Sequence, residues 1–433
     1  MNNIFRGKNK REKKVFLAVI VVIILLNAAA WCSTAFCDWY IANIFPVWVN
    51  TYGRITGIFP FSVGEWLIAA GLVLVAAAVA LGIIWAVLGI FRAIRRARSR
   101  AIERKNSGAA GIAGVWVHMH APQKSGFCRF SCGFCRFFLW TALTVCMIMT
   151  LNCTILYHAS TFSERYFGED DGEYTPEELL TVYVRVVEEC NRLAEIVERD
   201  ETGRVVYVGG DGVKISQRDS DNWSRGLDSM ADEARALMQR LGAAYPQLDG
   251  WYPRPKAMLF SDFMCQQYMQ GYYFPFSMEA NYNDVMNILK IPSTMCHELA
   301  HLRGYIYEDE ANFIGYLACV QSDNVFFEYA GYLSVLNYLY NDVYKLEREK
   351  PGVFREAAAV VQPVAISNRV WEDNFFVSNE EWGRINGKAL IDTEIVDQAA
   401  DLFIDTNLKV NGVSDGKISY RRVVKLLLQY YRK

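Results

Sequence analysis

Two histidines flanking a glutamate, in the run His297-Glu298-Leu299-Ala300-His301, are the residues of this 433-residue chain whose types and spacing point most directly to chemistry. On a helix, positions four apart share a face, so both imidazoles can meet one cation while Glu298 lies beside them around the helix. That arrangement suits zinc, which takes three protein ligands and one open position when it does chemistry. Glu298 is then placed to take a proton from water rather than to bind the metal. The acidic run Glu308, Asp309, Glu310 offers the third ligand. A helix over 309–317 would put Glu310 on one inward face with Phe313, Ile314 and Leu317, leave Glu308 at or before the helix start, and make Asp309 its cap. The alternative is a core helix whose histidines merely satisfy hydrogen bonds, a costly use of two imidazoles and a carboxylate.

Pro292 and Ser293 can open the histidine helix and Gly304 can close it. Upstream, Thr175, Pro176 and Glu178 form a capping box with proline in the first helical turn. VVYVGGDGVKI alternates and turns like a hairpin, and a further helix is expected over 228–241. KAMLFS and GYYFPFS read as strands, either of which could be core or could pair edgewise with an extended substrate. Tyr329 and Arg303 are candidate oxyanion donors, with packing as the competing role. Cys190, Cys265, Cys296 and Cys319 could form disulfides or stay as buried thiols. CRFSCGFCRFF lacks the second half of a zinc knuckle, and His118 and His120 read as ordinary loop residues.

Three stretches, 15–31, 66–91 and 137–157, approach the roughly 20 apolar residues that cross a bilayer. RGKNKREKK precedes the first and RAIRRARSRAIERK follows the second, whereas Arg54 is the only basic residue of the first connecting loop. Positive flanks stay in the cytoplasm, so 92–136 is expected there and the C-terminal part on the far side. The arginines set topology and touch anionic lipid. A formal net charge of -2 gives no reason to expect nucleic acid as a partner. The expected architecture is a three-helix transmembrane anchor, 1–157, followed by a mostly α (α+β) extracytoplasmic domain, 158–433.

PFSMEANYN, TMCHELAHLRG, EDEANFIGYLAC, FFEYAGYL and SYRRVVKLLLQYY together resemble the DUF3810 family of bacterial membrane proteins, placed among zincin-like metallopeptidases of the gluzincin type. The resemblance implies a zincin-like outer domain with His297, His301 and Glu310 as zinc ligands and Glu298 as the catalytic carboxylate. Peptides or cell-envelope proteins are the expected substrate class of the reading as a whole. Met278 departs from the small or polar residue expected there. The expected function is therefore a membrane-anchored zinc metallopeptidase, with a catalytically silent, zinc-stabilised membrane scaffold as the alternative.

Overall fold

The computed structural model describes residues 10–106, 126–168, 174–216, 218, 221–411 and 422–432; His118 and His120 lie outside them. Three of its helices are long and apolar enough to cross a membrane: α1 (Lys10–Cys32), α2 (Val63–Asn106) and α3 (Gly126–Met149, its apolar run continuing to His158). Most apolar side chains of α1 and α2 are exposed, as lipid-facing helices require, while α3 buries a larger share of its own, Leu143 among them. This is a membrane protein by that criterion.

The chain divides into two compact units, one of residues 1–24 and 66–147, the other of 25–65 and 148–433. In the first, Glu12 of α1 accepts from Trp140 Nε1 at 3.2 Å and pairs with Arg136 at 2.5 Å, both on α3.

The second unit is built from helices. α4 (Pro176–Ile196) begins at Thr175 with both halves of its capping box made, because Glu178 and Thr175 each satisfy the other's free backbone amide. α5 (Trp223–Gly242) buries Leu227, Met230, Ala234, Leu237 and Leu241, one stripe at helical spacing. α6 (Ile291–His301) lies between α5 and α7 (Glu308–Val320), and α7 packs in turn on α8 (Val325–Glu349), which rests on α4. α6 is buried nearly all round, its polar Ser293, Thr294, Glu298 and His301 included. Gly315 of α7 makes the closest approach to it, since a Cβ there would sit 2.7 Å from the Ser293 carbonyl. α9 (Val423–Arg432) closes the bundle against α7 and α8.

Two small sheets complete the unit. β1 (Tyr207–Val208) and β2 (Lys214–Ile215) form the expected antiparallel hairpin. β3 (Lys256–Ala257), β4 (Gly271–Phe274) and β5 (Glu279–Tyr282) make a sheet of order β3-β5-β4, with β5 parallel to β3 and antiparallel to β4. KAMLFS is thus strand only at its start, and its Ser261 opens the short helix Ser261–Gln266. The central strand, EANY, is wholly buried. Met278, in the turn before it, has φ 54° and a buried side chain, which accounts for the expectation of a small residue there.

The stretch between α1 and α2 is helical rather than loop-like, with short helices at Thr34–Asn43, Phe45–Trp48 and Arg54–Thr56. Tyr40, Ile41, Phe45 and Val49 enter the same apolar core as α6 and α7. All the described cysteines are free thiols, those at 190, 265, 296 and 319 buried.

Candidate metal centre

α6 ends at His301 and the chain reverses at Gly304, whose φ of +87° only glycine adopts without strain. Residues 305–307 then lead into α7, so the two helices face each other across this turn. Glu308, Asn312, Gly315 and Cys319 recur at helical spacing, and each touches α6: Glu308 and Asn312 at His297, Gly315 at the Ser293 carbonyl, Cys319 at the Cys296 thiol.

The imidazoles converge. His297 Nδ1 donates to Asn312 Oδ1 at 2.9 Å, and His301 Nδ1 donates to the Tyr305 carbonyl at 2.7 Å. Asn312 Nδ2 is itself held by the Tyr338 hydroxyl at 3.4 Å. With both Nδ1 atoms occupied, the two Nε2 atoms are left facing one another 3.1 Å apart. Glu308 brings one carboxylate oxygen 3.1 Å from His297 Nε2 and the other 3.9 Å from His301 Nε2. Glu298 Oε1 stands 3.9 Å from His297 Nε2, while its Oε2 is buried with no hydrogen-bond partner. His297, Glu298 and His301 form a group close enough to hold a metal ion. Lone pairs from two imidazoles and a carboxylate aimed at one point, each imidazole fixed from behind, fit a tetrahedral zinc with an open position.

Burial differs around the group. The Glu298 and His301 side chains are 5% exposed, His297 12% and Glu308 27%, so the centre opens on the Glu308 side. Burial opposes charge on His297, yet the Glu308 carboxylate outweighs it and holds the imidazole at about 8. His301 goes the other way, to about 4, through burial and then the charge of His297. Burial raises the Glu298 carboxyl to about 8 against the pull of His297. Glu308 stays below its ordinary value because His297 more than offsets its desolvation.

β4 walls the site. A Cβ at Gly271 would lie 2.4 Å from Glu298 Oε1, so no side chain fits between this edge strand and the carboxylate. Tyr272 beside it is within electrostatic reach of Glu298 and Glu308.

Among the residues weighed from sequence, His297, Glu298 and His301 meet; of the acidic run, Glu308, ranked below Glu310 there, reaches His297, and Glu310 does not join them. Glu310 is buried and accepts the backbone N–H of Phe162, on the α7 face where Phe313 packs on the Phe162 ring. Burial and neighbouring Asp309 raise its carboxyl to about 8. α7 starts at Glu308, with Tyr307 rather than Asp309 as its N-cap; Glu310, Phe313, Ile314 and Leu317 are buried as expected, but Glu310 and Phe313 meet Phe162, and it is Glu308 and Asn312 that meet His297. Tyr329 is buried elsewhere, its hydroxyl donating to Asp373 Oδ2 at 2.8 Å. Arg303 donates to the Trp251 carbonyl at 2.6 Å and lies over the Tyr252 ring. Asn312 was missed and Glu308 set aside; the signal was the Glu-x3-Asn-x2-Gly stripe, legible only once the facing helix is known.

The fold and site define a mostly helical membrane protein whose second unit carries a buried His-Glu-His group, met by a glutamate from the next helix. The chain belongs to the family DUF3810, described as "Protein of unknown function", whose model matches residues 40–428. No curated protein matches the chain. No solved structure matches it either.

Proposed function

We propose that this protein is a membrane-anchored, zinc-dependent metallopeptidase with a zincin-like centre of the gluzincin type. The observation that carries the reading is the convergence of both histidine Nε2 atoms and the Glu308 carboxylate, with the Glu298 Oε2 atom unpartnered beside them. His297, His301 and Glu308 would hold the zinc, which when bound supplies a Lewis acid and lowers the pKa of coordinated water. Glu298 Oε2 takes the proton from the attacking water and delivers it to the leaving amine. Gly271 lets β4 pack directly against the Glu298 carboxylate, which fixes that side chain beside the histidines.

The substrates are peptides or envelope proteins outside the cytoplasm. Supporting this orientation are the basic flanks of α1 and α2, and a second unit assembled from 25–65 and 148–433, two stretches that three crossings leave on one side.

The test is zinc analysis and peptide-library hydrolysis with the full-length protein in detergent. Glu298→Gln should keep zinc and fold but lose activity by about 10²-fold or more. Glu308→Ala should lose zinc, and Glu310→Ala should keep it. Zinc retained in Glu308→Ala and lost in Glu310→Ala would refute the ligand assignment, and a folded wild type without zinc would refute the enzyme reading.

A further inference from the structure

The segment that leads into α2 carries large apolar side chains that reach the surface: Ile58 is 78% exposed, and Phe59 and Phe61, packed ring against ring, are part-exposed beside it. A second segment of the same kind lies against it, with Leu259 62% exposed and Phe260 and Phe263 also exposed. Hydrogen bonds lace the two together. Glu65 accepts from the Leu259 and Phe260 amides at 3.0 and 2.9 Å, and Lys256 Nζ donates to the Thr56 and Phe61 carbonyls at 2.8 and 3.1 Å. Lys256 also pairs with Glu279 at 2.5 Å, and Glu279 accepts the first amides of α2, from Val63 and Gly64. Lys256, Glu279 and Glu65 are turned inward, and the half-exposed Asp262 is neutralised by Arg384, so the large exposed side chains of this region are apolar and aromatic.

A contiguous apolar face of this kind marks a place where something other than water belongs. The chain itself indicates what. Phe61 lies just ahead of α2, whose apolar run has a mean hydropathy of 2.8 and begins at Trp66, an exposed aromatic of the sort that settles at a membrane boundary. We propose that Ile58, Phe59, Phe61, Leu259, Phe260 and Phe263 form a shelf immersed in the interfacial layer of the bilayer, its partner being phospholipid rather than protein. An apolar face lying in the plane of the interface sinks to roughly 5–10 Å, about the depth of one aromatic side chain. β3 leads from the shelf to β5, and β4 pairs with β5 and touches Glu298, so the sheet joins the immersed face to the metal centre. If the metallopeptidase reading holds, its substrates are cut in segments lying close to the membrane surface; the shelf itself does not depend on that reading.

The experiment places a photoreactive benzoylphenylalanine at position 260 or 263 of the full-length chain, in vesicles of phosphatidylethanolamine and phosphatidylglycerol. Parallel chains carry it at Leu72, in the apolar run of α2, and at Val360, an exposed apolar position on the helix Pro351–Val360. After irradiation, phospholipid adducts read by peptide mass should form at 260 and 263 as readily as at 72, and several-fold more than at 360. Yields at 260 and 263 no higher than at 360 would overturn the proposal, as would a cross-link between two copies of the chain. Neither outcome touches hydrolysis, so failure of the shelf and failure of the enzyme reading stay distinguishable.

Discussion

Arg199, Asp373 and Tyr329 make one buried polar cluster in the second unit, and His297, His301, Glu298 and Glu308 make another. In the first, the Arg199 guanidinium meets both Asp373 oxygens, at 3.0 and 2.6 Å, and the Tyr329 hydroxyl adds a third bond to the carboxylate. Charge is cancelled inside the cluster, and its geometry is explained by the residues themselves. In the second, the atoms turned toward one another are lone-pair donors, two ring nitrogens and two carboxylates. Such atoms repel unless a proton or a cation stands between them. Burial alone therefore does not separate structural from chemical polar groups; the sign of the atoms that face each other does.

The contrast can be broken most severely at the ligands. His301→Ala should cost zinc affinity far more than the roughly 100-fold that an outer partner contributes, read as metal content of the purified full-length protein. Asp373→Ala strands Arg199 and should destabilise the second unit by about 3–5 kcal/mol in chemical denaturation while leaving zinc content intact. Loss of zinc in that variant would mean that the two clusters are not independent. Asn312→Ala releases the ring of His297 from behind and should weaken zinc binding by about 10- to 100-fold, measured by competition with a chelating dye. Smallest is Tyr329→Phe, which removes one of several bonds to Asp373 and should cost about 1 kcal/mol with zinc unchanged. A large loss of hydrolysis in Tyr329→Phe would reinstate that hydroxyl as a participant in chemistry.

What could be read from sequence was local. The Thr175 capping box, the 207–215 hairpin and the His297-to-His301 face each depend on residues a few positions apart, and each is present. Glu308 was passed over because Glu310 shares the buried stripe of Phe313, Ile314 and Leu317, and the sequence does not say that this stripe meets Phe162 while Glu308 meets His297. Residues 32–62 read as a connecting loop since their core partners, such as the Gly304 turn against Ile41, lie hundreds of positions away. Tyr329 sits in a helical motif rich in aromatics, and nothing near it in sequence announces Asp373.

The stitching of the second unit from chain on either side of α2 and α3 also sets a timetable for its manufacture. The amides of Val63 and Gly64 wait for Glu279, more than two hundred residues downstream, and the Asn152 side chain waits for the Pro275 carbonyl. Closure over such separations is slow and comes late, after the three apolar helices have left the ribosome. A fragment cut just beyond α3 would lack part of its own core, so the unit cannot be excised as a soluble piece. Whatever the histidine centre does, it belongs to a unit that is complete only once chain from both sides of α2 and α3 has been made.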